Sequence, residues 1–303
     1  MKKKFCINLS VGIVIFSLWI LSLYALYVKE KGFFVEKKKL EKYQEFIKKN
    51  LPYQKEYRYG IYFQNELIGL FQSEISTHPK EAYFENKQEL VLNFSNTYFI
   101  IANYKSENNM DGSLLNLKLF VKVNSEEIVI TGSMLQRKLL LFIESKKKKI
   151  KRVINLPKNY LTINLFSPIN INFNKFVMNN LYELNAYIPI LANLPMKIYI
   201  KGIDVEKIKM RENFSVDAYH LKIVSEDKSF ISDIWVNKEN VILMQSFFDL
   251  LTLKMISYQK YKREKEKFLQ MKTTQGYVPI PDLVDFFDKG ISLIAKKLSL
   301  LSQ

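Results

Sequence analysis

A chain of 303 residues, 48% of them hydrophobic, is long enough to bury one large core, and its formal net charge of +16 favours anionic surroundings such as lipid headgroups. Its one cysteine excludes an intrachain disulfide framework. The positive charge is carried mostly by lysine on an Asn-, Ile-, Phe- and Tyr-rich background with no nucleic-acid-binding motif, so basicity alone does not define a nucleic-acid partner.

Met1-Lys-Lys-Lys precedes an uncharged apolar run from Ile7 to Val28. A bilayer core of roughly 30 Å needs about 20 such residues as a helix, so residues 1–28 are expected to be a transmembrane signal anchor. A cleaved leader would need a shorter core and small residues after it, whereas this run closes Ser22-Leu-Tyr-Ala-Leu-Tyr-Val. Cys6 lies before the run, which argues against lipoprotein cleavage. Tyr24 and Tyr27 suit an interfacial aromatic belt. Lys2, Lys3 and Lys4 on one side face Lys29, Lys31, Lys37, Lys38, Lys39 and Lys42 on the other, and charge leaves the orientation nearly even.

Residues 29–52 are rich in Lys and Glu with scattered apolar positions, and are expected to continue as a helical juxtamembrane stalk that Leu51-Pro52 closes. From residue 53 the period changes to two. Leu117, Leu119, Val121 and Val123 alternate with Lys118 and Lys122; Met196, Ile198 and Ile200 alternate with Lys197, Tyr199 and Lys201; Tyr219, Leu221 and Ile223 alternate with His220 and Lys222. A sheet with one apolar and one basic face is antiparallel and half solvated. Further strands are expected at 57–63, 67–75, 88–94, 97–104, 127–134, 137–144, 147–156, 229–236, 241–245 and 252–258.

Turn chemistry at Gln64-Asn-Glu, Asn108-Asn-Met-Asp-Gly112 and Asn237-Lys-Glu-Asn240 separates several of these, and the short connections imply consecutive hairpins. Residues 53–262 should therefore form a long antiparallel β meander, a curved sheet or half-barrel. An Asn- and Pro-containing insertion at 157–195 breaks the rhythm and suits a short helix or a flap.

The segment Lys260-Tyr-Lys-Arg-Glu-Lys-Glu-Lys267 reads as solvated and ends the sheet, so residues 263–303 are a charged linker followed by an amphipathic helix from Asp282 to Leu301. Its stripe holds Phe287, Ile291, Ile294 and Leu298, which would pack on the sheet or meet a membrane surface or partner. The expected fold is mainly β, flanked by a transmembrane helix and this C-terminal helix.

Tyr59-Gly-Ile-Tyr-Phe-Gln-Asn-Glu-Leu-Ile-Gly69 resembles the YGIYxxGxKIG opening of the β-rich module found ahead of bacterial transglutaminase-like domains. Met196-Lys-Ile-Tyr-Ile-Lys-Gly202, Val216-Asp-Ala-Tyr-His-Leu-Lys-Ile223 and Asp233-Ile-Trp-Val-Asn-Lys-Glu-Asn-Val-Ile-Leu243 resemble its closing strands, so the likeness covers residues 53–258. Asn65 and Asn240 stand where the module has turn glycines, and Asn tolerates positive φ better than most residues. The resemblance implies an extracytoplasmic, membrane-anchored β domain. It implies no transglutaminase or protease activity, because that chemistry belongs to a downstream domain with Cys, His and Asp together.

No catalytic, cofactor-binding or metal-binding residues stand out. Cys6 abuts the apolar run with no histidine near it in sequence, His78 precedes Pro79 in a turn, His220 lies on a polar strand face, and Trp235 is expected to pack in the closing hairpin. The acids are dispersed. The densest charge cluster is Lys146, Lys147, Lys148, Lys149, Lys151 and Arg152, which suits either a solvated hairpin end or contact with phosphate or anionic lipid. The expected function is a non-enzymatic binding or scaffold protein, single-pass in the bacterial inner membrane, with an extracytoplasmic (periplasmic) domain and an envelope protein or lipid as partner. Two alternatives stay open: a lipid carrier or sensor that uses the apolar face of the curved sheet beneath a 157–195 flap, and an envelope hydrolase.

Overall fold

A computed structural model describes residues 37–39, 54–94, 98–146, 148–157, 160–162, 180–187, 196–211, 214–226, 231–247 and 251–271. Their strands are β1 (Lys37–Lys39), β2 (Gln54–Phe63), β3 (Glu66–His78), β4 (Tyr83–Phe94), β5 (Tyr98–Asn109), β6 (Leu114–Val123), β7 (Glu126–Leu135), β8 (Lys138–Ser145) and β9 (Lys149–Asn155). They continue as β10 (Leu161–Thr162), β11 (Leu181–Tyr187), β12 (Met196–Arg211), β13 (Phe214–Ser225), β14 (Ile231–Val236), β15 (Ile242–Phe247) and β16 (Leu251–Met255). One helix, α1 (Tyr258–Met271), follows.

All strands belong to one 16-stranded, curved and unclosed sheet ordered β1-β11-β12-β13-β14-β15-β16-β2-β3-β4-β5-β6-β7-β8-β9, with β10 also on β11. The chain makes two antiparallel meanders, β2–β9 and β11–β16, which join where β16 pairs with β2, Leu253 opposite Ile61. The parallel pairs are β1 and β10 on β11.

Period-two patterning explains which side is buried. Leu117, Leu119, Val121 and Val123 of β6 are all buried, as their alternation requires. Curvature then brings distant strands together on that inner side. Tyr57, Phe71, Ile75 and Phe84 from β2–β4 pack with Tyr182, Leu184 and Ala186 from β11, while Tyr187 reaches a second cluster built mainly by β5–β9. Polar inner positions pair among themselves: the Ser73 hydroxyl donates to Asn86 Oδ1 at 3.3 Å, and Asn108 Nδ2 donates to Ser106 Oγ at 3.0 Å. Among the described residues the inner face carries the two largest clusters of buried side chains.

Close turns and close packing account for two details of the opening motif. Gln64 and Asn65 adopt φ of 47° and 69°, the left-handed pair that a two-residue hairpin needs. Gly69 lies so close to β4 that a Cβ there would sit 2.6 Å from the Val91 carbonyl oxygen.

Three expectations differ. The charged segment after the sheet is α1, not a linker: the Ser257 hydroxyl accepts from the Lys260 amide at 3.3 Å as an N-cap, and Tyr261 and Phe268 bury against Leu70, Val91 and Phe99 on the outer face. Tyr261 and Phe268 lie two turns apart on one stripe, and Lys265 reaches back to Glu89 of β4 at 2.6 Å while Lys262, Arg263, Glu266 and Lys267 are exposed. The described residues of the 157–195 insertion add β10 and β11 to the sheet, and the rest of the segment expected to hold a short helix or a flap lies outside the described residues. Lys37–Lys39, within the expected helical stalk, form a strand.

The expected anchor at 1–28, the rest of the stalk, and the C-terminal helix with Phe287, Ile291, Ile294 and Leu298 lie outside the described residues. Among the described residues no helix is long and apolar enough to cross a membrane.

Candidate functional site

Two outer surfaces collect the chemistry that the sequence carries. The first is the β8–β9 hairpin at the end of the sheet. Ser145 closes its turn: its amide donates to the Lys148 carbonyl at 2.9 Å, and its hydroxyl accepts from the Lys148 amide at 3.1 Å. Lys146 and Lys148 are therefore exposed turn residues, and Lys147 lies outside the described residues.

Beyond the turn, strand alternation divides the basic run. Lys149 and Lys151 pair with Glu144 and Phe142 on the outer face, whereas Ile150 and Arg152 pair with Ile143 and Leu141, whose side chains are buried on the inner face. The outer face also carries Phe142 at 47% exposure and Val153 at 52%, and Leu135 at 60% lies at the end of neighbouring β7. Lys151 Nζ sits 5.6 Å from the Phe142 ring centre, and Lys149 forms an ion pair with Glu144. Lysines on the terminal strand also discourage edge-to-edge pairing with another sheet. Exposed aromatic and aliphatic groups beside them are unusual for an edge whose only task is to stay solvated.

The second surface lies on β12–β14. Gly202 pairs with Leu221 and Val205 with Tyr219, so Ile203 and Asp204 together oppose His220, a β-bulge that puts one extra residue into β12. His220 Nδ1 lies 2.8 Å from Glu206 Oε1 and Nε2 lies 2.8 Å from Asp233 Oδ1. Trp235 stacks on the imidazole with ring centres 4.5 Å apart, and its indole N–H donates to Glu206 Oε2 at 2.9 Å. Lys222 Nζ approaches Asp233 Oδ2 at 3.7 Å.

Burial pushes the His220 pKa down, but the Asp233 and Glu206 carboxylates outweigh it and hold the imidazole above its ordinary value. One ligand atom from each of Asp204, Glu206 and His220 falls within 4.8 Å of the others. Sequence reading placed His220 and Lys222 on one polar face but did not collect these acids. A hairpin register could have set Trp235 opposite His220, whereas the bulge that aligns Asp204 left no mark in the alternation.

His78 stacks on Tyr83 at 4.6 Å where β3 turns into β4. Cys6 lies outside the described residues. A groove of about 470 Å³ on the outer side of β3–β6 is lined by Gln72, Glu74, Lys87, Glu89, Asn103 and Lys105 among others. Its carboxylates are engaged: Glu74 accepts from Gln54 at 2.7 Å, and Glu89 pairs with Lys265 of α1 at 2.6 Å.

The described residues thus define a mainly β protein on one curved antiparallel sheet with functional groups on its outer side. No family model and no curated protein matches the chain. Among solved structures it is similar to a beta-barrel-like protein of the domain of unknown function DUF1849 from Brucella abortus, at TM-score 0.47 and 9% identity over 67% of this chain and 95% of that one. It is also similar to a DUF1089 family protein from Pseudomonas aeruginosa, at TM-score 0.32 and 12% identity over 59% of this chain and 90% of that one.

Proposed function

We propose that this chain is a non-enzymatic binding protein of the bacterial cell envelope, anchored in the inner membrane by residues 1–28, whose extracytoplasmic β domain docks on an anionic lipid surface through β8 and β9. The observation that carries this reading is the joint exposure of Phe142 and Val153 with Lys149 and Lys151 on one face of the terminal hairpin. Aromatic and aliphatic side chains enter the headgroup boundary while lysines meet the phosphates, each lysine near the surface contributing about 1 kcal/mol. The packed clusters of buried side chains on the inner face favour an outer docking surface over an interior carrier of acyl chains. The likeness of residues 53–258 to a membrane-anchored module supports the outward orientation.

The full-length protein in nanodiscs tests the docking. Amide exchange over residues 138–155 is expected to be slower in anionic than in neutral discs, and the difference should collapse in high salt as the Debye length falls below its physiological value of about 8 Å. Lys149→Glu with Lys151→Glu should abolish it. Equal exchange in both kinds of disc overturns the lipid reading.

A further inference from the structure

The acids and imidazole on β12–β14 have no part in the lipid reading, and their arrangement points elsewhere. We propose that Asp204, Glu206 and His220 bind a divalent transition-metal ion of the zinc type, held in place by Asp233 and Trp235. One imidazole nitrogen with two carboxylate oxygens is a donor set of borderline softness, suited to Zn²⁺, Co²⁺ or Mn²⁺.

The spacing suits such an ion. Zinc–nitrogen and zinc–oxygen bonds run about 2.0–2.2 Å, which at the tetrahedral angle sets adjacent ligand atoms about 3.3–3.6 Å apart. His220 Nδ1 and Glu206 Oε1 stand 2.8 Å apart, so an ion that displaces the proton between them needs the two side chains to open by about half an ångström. One Asp204 carboxylate oxygen lies within 4.8 Å of a ligand atom of each of the other two residues.

The surroundings fix the ligands. The Asp233 carboxylate, in a residue only 7% exposed, accepts a hydrogen bond from the Nε2–H, which leaves Nδ1 as the metal-facing nitrogen. A carboxylate behind a ligating histidine fixes its tautomer and raises its basicity in this way. The Trp235 ring sets the imidazole plane, and its N–H holds Glu206 Oε2 so that Oε1 turns to His220.

An imidazolium between two carboxylates would explain Glu206 and Asp233 without any ion. It does not explain the bulge that sets Asp204, a further negative charge, opposite His220 on the face of Glu206. A dication compensates that repulsion. Asp204 is exposed and His220 and Glu206 are partly so, which gives an ion access from solvent and leaves coordination positions for water.

Trp235 is a built-in reporter, since it touches two of the three proposed ligands, His220 and Glu206. The chain has two tryptophans, so Trp19→Phe leaves Trp235 as the sole emitter in the full-length protein. Titration with Co²⁺ is expected to quench its fluorescence saturably with one ion per chain, and Zn²⁺ should reverse the quenching. Asp204→Asn and Glu206→Gln should weaken the apparent affinity about tenfold or more, whereas Asp217→Asn, an exposed acid elsewhere on β13, should leave it unchanged. Circular dichroism checks that each variant keeps its β content. Absence of saturable quenching, or equal affinity in folded Asp204→Asn, overturns the site.

Discussion

Individual turn residues separate what local chemistry reveals from what it hides. Asn65 and Asn240 were readable as positive-φ positions because their short amides tolerate the left-handed region, and they adopt φ of 69° and 60°. Gln136 and Arg137 adopt φ of 48° and 67° although neither residue type signals a turn, so the alternation assigned Arg137 to the following strand. Arg137 therefore carries a removable cost. Left-handed backbone costs a residue with a Cβ roughly 1–2 kcal/mol, partly offset in glycine by the entropy of its unfolded chain. Arg137→Gly is expected to keep the Leu156 amide bond to its carbonyl and to raise the melting temperature by about 1–3 °C in a thermal scan. A fall in melting temperature would mean that the arginine side chain matters more than its backbone. His220 shows the same limit at the candidate site: its face was legible from alternation, but its acidic neighbours depend on a bulge and on cross-strand register.

Strands with clean alternation were legible because one residue in two must be apolar when only one face is buried. β11 was not, because Leu181, Tyr182, Leu184, Ala186 and Tyr187 are all buried and the pattern loses its period. Helix α1 was missed for another reason. Its composition is dominated by Lys and Glu, and its place in the fold rests on Tyr261 and Phe268. Removing one of two anchors should be costly, since truncation of a buried phenylalanine typically loses about 3–5 kcal/mol. Phe268→Ala is expected to lower the urea midpoint and to make α1 the first segment cut in limited proteolysis. Unchanged protease resistance would show that polar contacts to the sheet, such as Lys265 with Glu89, hold the helix instead.

The mainly β class and the run of consecutive hairpins follow from period-two patterning and turn chemistry, which act over short stretches of chain. The join between the two meanders does not. Pairing of β16 with β2 depends on tertiary packing between segments far apart in sequence, and the curvature that brings Tyr187 against the β5–β9 cluster is equally non-local. That curvature gathers buried side chains on the inner side and leaves the outer side for contacts with other molecules, which is why an exposed hairpin with Lys149, Lys151, Phe142 and Val153 bears on function. The proposed envelope assignment requires the domain to be tethered to a bilayer and to lie on its outer side. Alkaline phosphatase fused after Gln303 reads both at once, because the enzyme is active only outside the cytoplasm. The fusion is expected to be active and to stay with the membrane fraction through a high-salt wash. An inactive phosphatase together with a fluorescent cytoplasmic reporter at the same position would place the domain on the other side and contradict the envelope assignment.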